Sequence, residues 1–562
     1  MKSNKSIING FINSGKRVKR ELDSYSRDAI RISEQTLLQL IKDNKDTEFG
    51  RAHGFDQINS IEDYKVNVPI SSYDEYEPII KRMYDKGEKN LLTAYKVVHY
   101  AQTSGSIGFP KYIPVTDKGK DKFVKYSANL CFAVADEYYR NTTEKELKVG
   151  YGINLVDTVS KYNDEGVSSG PISGNIISEG KDISDYIFSV PWQSLNLDEE
   201  IDMNYLIARY SIERSDITFI DCAFLTSVVD FMDYIKENRE LLCMDIYHGR
   251  IDKEVKISDA NREKLMKRIR PNPKRAKEVS NEIKKGMDGI IPRIWPNIQF
   301  VAGIGTGGFS TYYKRAYQYT GKKVPFNNLV YAASEGVFAA ARRMGDTSYV
   351  LIPDSGFYEF IPVGSKDDRR TLTIDQLEQG IDYEMIITNL SGLYRYRLND
   401  VVRVTGFYNE APLIKFVYRK NQVLSLVGEN MTIDAVRWCI EQFAVETGLT
   451  VIDYSLYGNT DSKPSFYEMF IEVDEVLSAK DLKDCRDILE EKLMQANLIY
   501  GNSIRLGRLG PLKLIPLQSQ TYQLYRDVQI MKGASRNQLK LVNVIDTPLK
   551  YNFFATLKEE IK

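Results

Sequence analysis

The chain has 562 residues, more than one hydrophobic core usually serves, so a large and a small domain are expected rather than a single unit. Its 43% hydrophobic and 27% charged residues fit a folded globular protein, so disorder is not the default expectation. Lysine and arginine total 76 against 77 aspartate and glutamate, so no global field exists to hold a nucleic-acid backbone or an anionic membrane, and any anion site must be local.

At the N-terminus Lys2 and Lys5 precede Ile7, Ile8, Phe11 and Ile12, but Asn9, Gly10 and Asn13 interrupt the run, so no secretory signal core is expected. Apolar residues at helical spacing (Ile30, Ile32, Leu37, Leu38, Ile41) predict a helix over 28–44, and amphipathic stretches follow over 117–139 and 253–285. Between 297 and 352 short β-prone runs (298–302, 329–332, 349–352) alternate with a helical segment, the texture of an α/β domain whose strand-end loops hold ligands. Strands over 382–388 and 401–407 flank a polar, glycine-containing connection. After Tyr418-Arg419-Lys420-Asn421 the pattern restarts with a helix over 432–446, strands over 451–457 and 465–473, and a helix over 478–497. The expected division is a large domain, 1–420, and a small α+β domain, 421–562. No window approaches the roughly eighteen apolar residues of a membrane span. The five cysteines are odd in number and lack C-x-x-C spacing, which argues against disulfides and zinc and points to a reducing, cytoplasmic compartment. None of the three histidines stands in an H-E-x-x-H context, so metalloprotease chemistry lacks its ligands.

Three segments carry candidate chemistry. Thr103-Ser104-Gly105-Ser106-Ile107-Gly108-Phe109-Pro110-Lys111 follows a β-prone run and has the glycines, hydroxyls and lysine that suit a phosphate, although an ordinary turn has the same composition. Tyr331-Ala332-Ala333-Ser334-Glu335-Gly336 ends another β-prone run, where a carboxylate can reach Mg²⁺ on a triphosphate; Glu335 serves equally well as the first-turn acid of a helix. In Gly392-Leu393-Tyr394-Arg395-Tyr396-Arg397-Leu398-Asn399-Asp400-Val401, Asp400 suits ribose hydroxyls and Arg395 or Arg397 a phosphate or carboxylate, against the alternative of a solvated hairpin.

In this order, with a small domain behind them, the segments resemble the adenylate-forming superfamily. They resemble more closely the auxin-responsive acyl-acid amido synthetases of plants and some bacteria, with this chain a bacterial-type member. The likeness also rests on Thr47-Glu48-Phe49-Gly50-Arg51 with His53-Gly54-Phe55, and on Gly533-Ala534-Ser535-Arg536-Asn537-Gln538-Leu539-Lys540, the most family-specific string. It implies an α/β fold with a large N-terminal domain of the adenylate-forming type and a smaller, mobile C-terminal α+β domain. It implies a ligase that uses ATP and Mg²⁺ to adenylate a small carboxylic acid and passes the acyl group to an amine, an amino acid. It further implies nucleotide contacts from Thr103, Ser104, Gly105, Ser106, Tyr331, Ala333, Ser334 and Glu335, with Glu335 also on the metal. Asp400 would bind ribose, Phe416 lie near the nucleotide, Lys420 act as a basic hinge, and Lys111 and Lys540 serve catalysis. A monomer or weak oligomer is expected, with no nucleic-acid or membrane partner. Two departures stand out: Asn399 replaces the usual glycine before the ribose-binding aspartate, which the left-handed tolerance of asparagine accommodates, and Leu541-Val542-Asn543 follow Lys540 where the family has Pro-Arg.

Gly303-Ile304-Gly305-Thr306-Gly307-Gly308, after a β-prone run and before a helical stretch, matches the dinucleotide fingerprint, with Glu335 as the acid ending the next strand. Its mid-chain position weighs against a nicotinamide enzyme. An acyl-CoA ligase, differing only in its thiol acceptor, and a non-catalytic nucleotide-binding module are the other competing classes. Phe123, Tyr126 and residues 219–227 are candidates for acyl specificity, although core packing explains them as well.

Overall fold

A computed structural model describes residues 3–103, 111–156, 161–195, 201–305, 310–365, 367, 369–420, 424, 426–427, 429, 431–532 and 541–559. The chain forms two compact units, one from residues 1–398 and 403–416, the other from 399–402 and 417–562.

The first unit opens with a helix, Asn4–Ser26, whose Ser3 forms a reciprocal cap with Ser6. Ile8, Ile12, Val18 and Leu22 are buried along it, while Asn9, Gly10 and Asn13 are exposed. The residues that break the apolar run are therefore the wet face of an amphipathic helix. The expected helix over 28–44 is Ala29–Asn44. The stretch over 117–139 comprises Asp117–Val124, a π turn Lys125–Asn129 and Leu130–Thr143. The stretch over 253–285 is two helices, Asp259–Met266 and Pro273–Lys284, parted where Pro271 and Pro273 deny the backbone its hydrogen bonds.

Strands β1 (Val97–Thr103) and β2 (Lys111–Thr116) form an antiparallel pair in a four-stranded sheet; β3 is Tyr151–Asn154, β4 Lys161–Tyr162 and β5 Ser168–Gly170. That first sheet runs β2-β1-β5-β4. With β6 (Ile217–Phe224), β7 (Phe300–Ile304) and β8 (Phe326–Asn327), β3 builds a second sheet, β3-β6-β7-β8, parallel throughout. Behind it Phe219, Phe300 and Phe132 pack with Ile8 and Ile12 of the first helix. The remaining strands are β9 (Val330–Ala333), β10 (Gly336–Ala340), β11 (Tyr349–Leu351), β12 (Gly356–Pro362), β13 (Asp382–Asn389), β14 (Tyr396–Tyr408) and β15 (Ala411–Arg419). They form a seven-stranded sheet in the order β12-β13-β14-β15-β11-β10-β9. Strands β10, β12 and β15 have no counterpart in the sequence reading. Nearly every residue of β12 is buried, so it shows none of the alternation that marks a half-exposed strand.

In the second unit β16 (Val451–Asn459), β17 (Phe466–Val473) and β18 (Lys513–Pro516) make a three-stranded sheet. Helices Ile433–Thr447 and Ala479–Ala496 supply Val436, Phe443, Leu489 and Leu493 to the core that contains Tyr454, Met469 and Ile471. No helix among the described residues is long and apolar enough to cross a membrane.

Candidate active site

Lys111 opens a strand rather than closing a loop: it pairs in register with Thr103 across the β1–β2 hairpin. Ser104, Gly105 and Ser106 lie outside the described residues, as do the side chain of Thr103 and the whole of Gly533–Lys540. The Lys111 ammonium sits 4.7 Å from the centre of the Tyr73 ring, a cation–π contact. Tyr73 begins the helix Tyr73–Lys86, which Ser72 and Glu75 cap reciprocally. The Tyr73 hydroxyl accepts from the Tyr112 amide at 3.0 Å. Burial, with the carboxylates of Glu77 and Glu335 adding to it, pushes the Tyr73 phenol up to about 12.

Glu335 is on the two-residue turn of a hairpin: Ala333 of β9 pairs with Gly336 of β10, leaving Ser334 and Glu335 between them. This rules out its alternative role as a helix N-terminal acid. The Glu335 side chain is nearly buried, and its Oε1 accepts a long hydrogen bond, 3.4 Å, from the Tyr396 hydroxyl. Its carbonyl accepts from Asn389 Nδ2 at 2.6 Å, and Asn389 Oδ1 in turn accepts from the amides of Ser391 and Leu393 at 3.0 and 3.1 Å. One asparagine thus folds the start of the third segment and ties it to the second. Lys122, Phe123, Ser334, Glu335, Asn389 and Ser391 border a cavity of about 20 Å³, room for a water molecule. Tyr331 on β9 meets Phe416 on β15 at 6.2 Å between ring centres.

The third segment differs most from its reading. Arg395 is 4% exposed and has a left-handed backbone, φ 47°. Its Nε and Nη2 donate to the two oxygens of Glu359 at 3.0 Å each, and its Nη1 donates to the carbonyls of Lys65 and Val68 at 2.9 Å. This guanidinium is a structural tie, not a phosphate ligand. Arg397 reaches Glu384 at 3.5 Å. Asn399 adopts φ 64°, the conformation its glycine-like role requires. Asp400 lies within β14 and in the second unit, not beside a turn before the strand; it is 3% exposed and accepts from Arg419 Nε at 2.6 Å. Lys420 follows directly on β15.

Tyr73, Asn389 and Tyr396 were missed by sequence reasoning. Tyr396 lay inside a quoted motif, where its alternation with Tyr394 was a usable signal; Tyr73 stands far from every motif and offers none. Of the acyl-specificity candidates, Phe123 borders the cavity, whereas Tyr126 is buried with its hydroxyl on Asp354 at 2.6 Å, and Phe219 belongs to the aromatic core. The dinucleotide reading fails on two observations. A Cβ on Gly303 would lie 2.4 Å from Cys222 Sγ, so this glycine serves the close approach of β7 to β6. The supposed ribose acid, Glu335, turns a hairpin in a different sheet.

Over almost the whole chain the fold is that of adenylate-forming enzymes. It is similar to a 2-hydroxyisobutyryl-CoA ligase in the postadenylation state, with TM-score 0.51 and 11% identity over 96% of this chain and 91% of that one. It is more similar to the GH3.15 acyl acid amido synthetase, with TM-score 0.83 and 21% identity over 96% and 95% of the two chains. The chain belongs to the GH3 family: residues 18–326, 349–419 and 434–548 match its N-terminal, central and C-terminal domains. Among its relatives are a jasmonoyl–L-amino acid synthetase of Oryza sativa subsp. japonica, 27% identical over 92% of this chain and 93% of that protein, and a 4-substituted benzoates–glutamate ligase of Arabidopsis thaliana, 25% identical over 95% and 98%. An indole-3-acetic acid-amido synthetase of Oryza sativa subsp. indica is 27% identical over 94% and 90%. The protein is an acyl-acid amido synthetase, a ligase that forms an amide bond.

Proposed function

We propose that this chain uses ATP and Mg²⁺ to convert a small carboxylic acid into its acyl-adenylate and then transfers the acyl group to the amine of an amino acid. The observation that supports this most is the tie between the second and third segments, in which Tyr396 and Asn389 both hydrogen-bond Glu335 at its hairpin turn. Among the described residues no three carboxylate, histidine or cysteine side chains converge on a point as an all-protein cation cage would need. A single nearly buried carboxylate such as Glu335 instead suits Mg²⁺, which takes most of its ligands from water and phosphate. Bound there, Mg²⁺ would neutralise the triphosphate and help pyrophosphate leave.

In the first half-reaction an oxygen of the acid attacks the α-phosphorus of ATP and pyrophosphate departs. Negative charge grows on the phosphate oxygens, and Lys111, together with Ser104, Gly105 and Ser106, would meet it. Tyr396 holds the Glu335 carboxylate, while Tyr331 and Phe416 present aromatic faces to the base. Asp400 would take the ribose hydroxyls, sharing its carboxylate with Arg419. In the second half-reaction the amine nitrogen attacks the acyl carbon, AMP leaves and a proton is lost to solvent. Residues 421–562 would turn about Lys420 to bring Lys540 to the phosphate for one half-reaction and open the carbonyl to the amine for the other. We place the protein in the cytoplasm, in keeping with its five free cysteines, as a monomer or weak oligomer.

The relatives differ in the acid they take, so the test is carboxylate-dependent exchange of labelled pyrophosphate into ATP across indole, benzoate and fatty acids, with Mg²⁺ and without amine. Exchange with at least one acid is expected, and product formation with an amino acid but not with coenzyme A would separate amide from thioester synthesis. ATP binding without exchange for any acid would favour a non-catalytic module.

A further inference from the structure

The parallel sheet of the first unit ends in a polar row that the proposed adenylation chemistry does not use. Asp221 on β6 is the register partner of Asn154 on β3 and of Ala302 on β7, and Ala302 pairs with Asn327 on β8. Register partners of a parallel sheet point to the same face, on strands about 4.8 Å apart, so Asn154, Asp221 and Asn327 align on one side. That side faces the helix Leu130–Thr143: Asn327 Nδ2 donates to the Cys131 carbonyl at 3.2 Å, and the Asp221 charge acts on the Cys131 thiol. Two residues earlier the same face carries Phe219 and Phe300, stacked at 5.5 Å. The row therefore stands where an aromatic core gives way, at the C-terminal strand ends, to the region in which α/β sheets bind ligands.

Two groups of the row are unanswered. Asn154 is 2% exposed; its Oδ1 accepts from the Val156 amide at 3.1 Å, but its Nδ2 has no hydrogen-bond partner. Asp221 accepts no side-chain hydrogen bond and meets no cation among the described residues, and burial alone disfavours its charge. Asp221 itself is partly buried. Buried polar groups left unpaired are costly and are retained where a ligand completes them. The helical stretch over this face also reaches the candidate active site: eight residues before Cys131 it supplies Phe123, which borders the cavity at the Glu335 turn.

We propose that Asp221 and Asn154 form a subsite for a hydroxyl at the far end of the acyl substrate, so that the enzyme conjugates a hydroxylated carboxylic acid in preference to its deoxy analogue. A hydroxyl satisfies both groups at once, its O–H donating to the Asp221 carboxylate and its oxygen accepting from Asn154 Nδ2. An ammonium would answer only Asp221. This inference rests on the adenylation reading and names the substrate class within it.

The experiment is pyrophosphate exchange by the full chain with matched pairs of acids that differ in one distal hydroxyl, on aromatic and aliphatic frames of graded length. For at least one pair the hydroxylated acid is expected to have a kcat/KM at least about tenfold higher, because the deoxy acid leaves both polar groups unpaired. In Asp221→Leu that preference should vanish or invert while ATP-dependent exchange persists; Asp221→Asn, which keeps the size of the side chain, should reduce it and serves if the leucine variant does not fold. Exchange that favours the deoxy member of every pair, or a preference unchanged in both variants, overturns the subsite alone. Exchange with no acid of either kind overturns the adenylation reading and the subsite with it.

Discussion

Removing the Arg395 guanidinium should cost the fold far more than it costs nucleotide binding. In the first unit this side chain joins β12, through Glu359, to the helix Ile61–Asn67 and the residue after it, through the carbonyls of Lys65 and Val68. Arg395→Ala would leave a carboxylate that is 1% exposed with only the Thr371 hydroxyl as a partner among the described residues and would strand two carbonyls. Breaking one side of a buried pair costs about 3–5 kcal/mol, which is two to four decades in the folding equilibrium. Urea denaturation followed by far-UV circular dichroism should show the midpoint falling with little change in slope. Replacing both partners, Arg395→Met with Glu359→Leu, should recover much of the loss, since an apolar pair needs no counter-charge. At a temperature where Arg395→Ala is still folded, its KM for ATP should stay within about twofold of the parent. A variant of undiminished stability with a KM for ATP raised tenfold or more would refute the structural assignment and return Arg395 to the phosphates.

Glu335→Gln keeps the shape of the turn but removes the charge offered to Mg²⁺, so pyrophosphate exchange should fall about 10²–10³-fold with an unchanged Tm; a loss of stability equal to the loss of rate would count against a catalytic role. Gly303→Ala should destabilise by about 1–3 kcal/mol through the clash with Cys222 and should leave the KM for ATP unaltered, as thermal denaturation and initial rates would show. Burial pushes the Asp221 carboxyl from 3.8 up to about 6, so between those values the folded chain binds more protons than the unfolded one and stability rises as pH falls. Asp221→Asn should accordingly be more stable than the parent near pH 8, by as much as about 3 kcal/mol, and converge with it near pH 4; parallel stability curves would show that the carboxyl is not desolvated. Asp354, bonded by Tyr126 and paired with Lys122 and Lys125, is held below the usual carboxylate range by those lysines despite its burial. Its contribution is present at neutral pH and lost as pH drops below about 4, so Asp354→Asn should lower stability at pH 7 and flatten the acid limb of the curve.

Local signals survived the passage from sequence to structure, and long-range ones did not. Helices Ala29–Asn44, Ile433–Thr447 and Ala479–Ala496 were legible because an apolar stripe marks each of them, with a capping Thr432 and Ser478 before the last two. Asn399 was legible because only a few residue types tolerate its backbone conformation. The first helix was not, since three polar residues on its wet face interrupted the apolar run and were weighed only against a secretory signal core. β12 was hidden by burial on both faces, and Lys125–Asn129 by a change of helical pitch that no composition announces. In the site the motif segments were visible, but the meeting of the second and third through Asn389 and Tyr396 is a matter of tertiary contact. Arg395 misled because arginine's fork suits a buried carboxylate as well as a phosphate.

The border between the two units is crossed by the backbone three times within twenty residues, at 398/399, 402/403 and 416/417. A gene fragment starting at Asn421 would therefore leave behind both the tetrapeptide Asn399–Val402 and the last strand residues that belong with it. Anyone exchanging the C-terminal parts of two such synthetases, to learn which half chooses the amine, would do better to splice upstream of Tyr396 and carry the whole β14–β15 ribbon with the insert. A recombination point at Asn421 would leave Asp400 and its Arg419 partner together on the wrong parent, and one placed between them would break the pair.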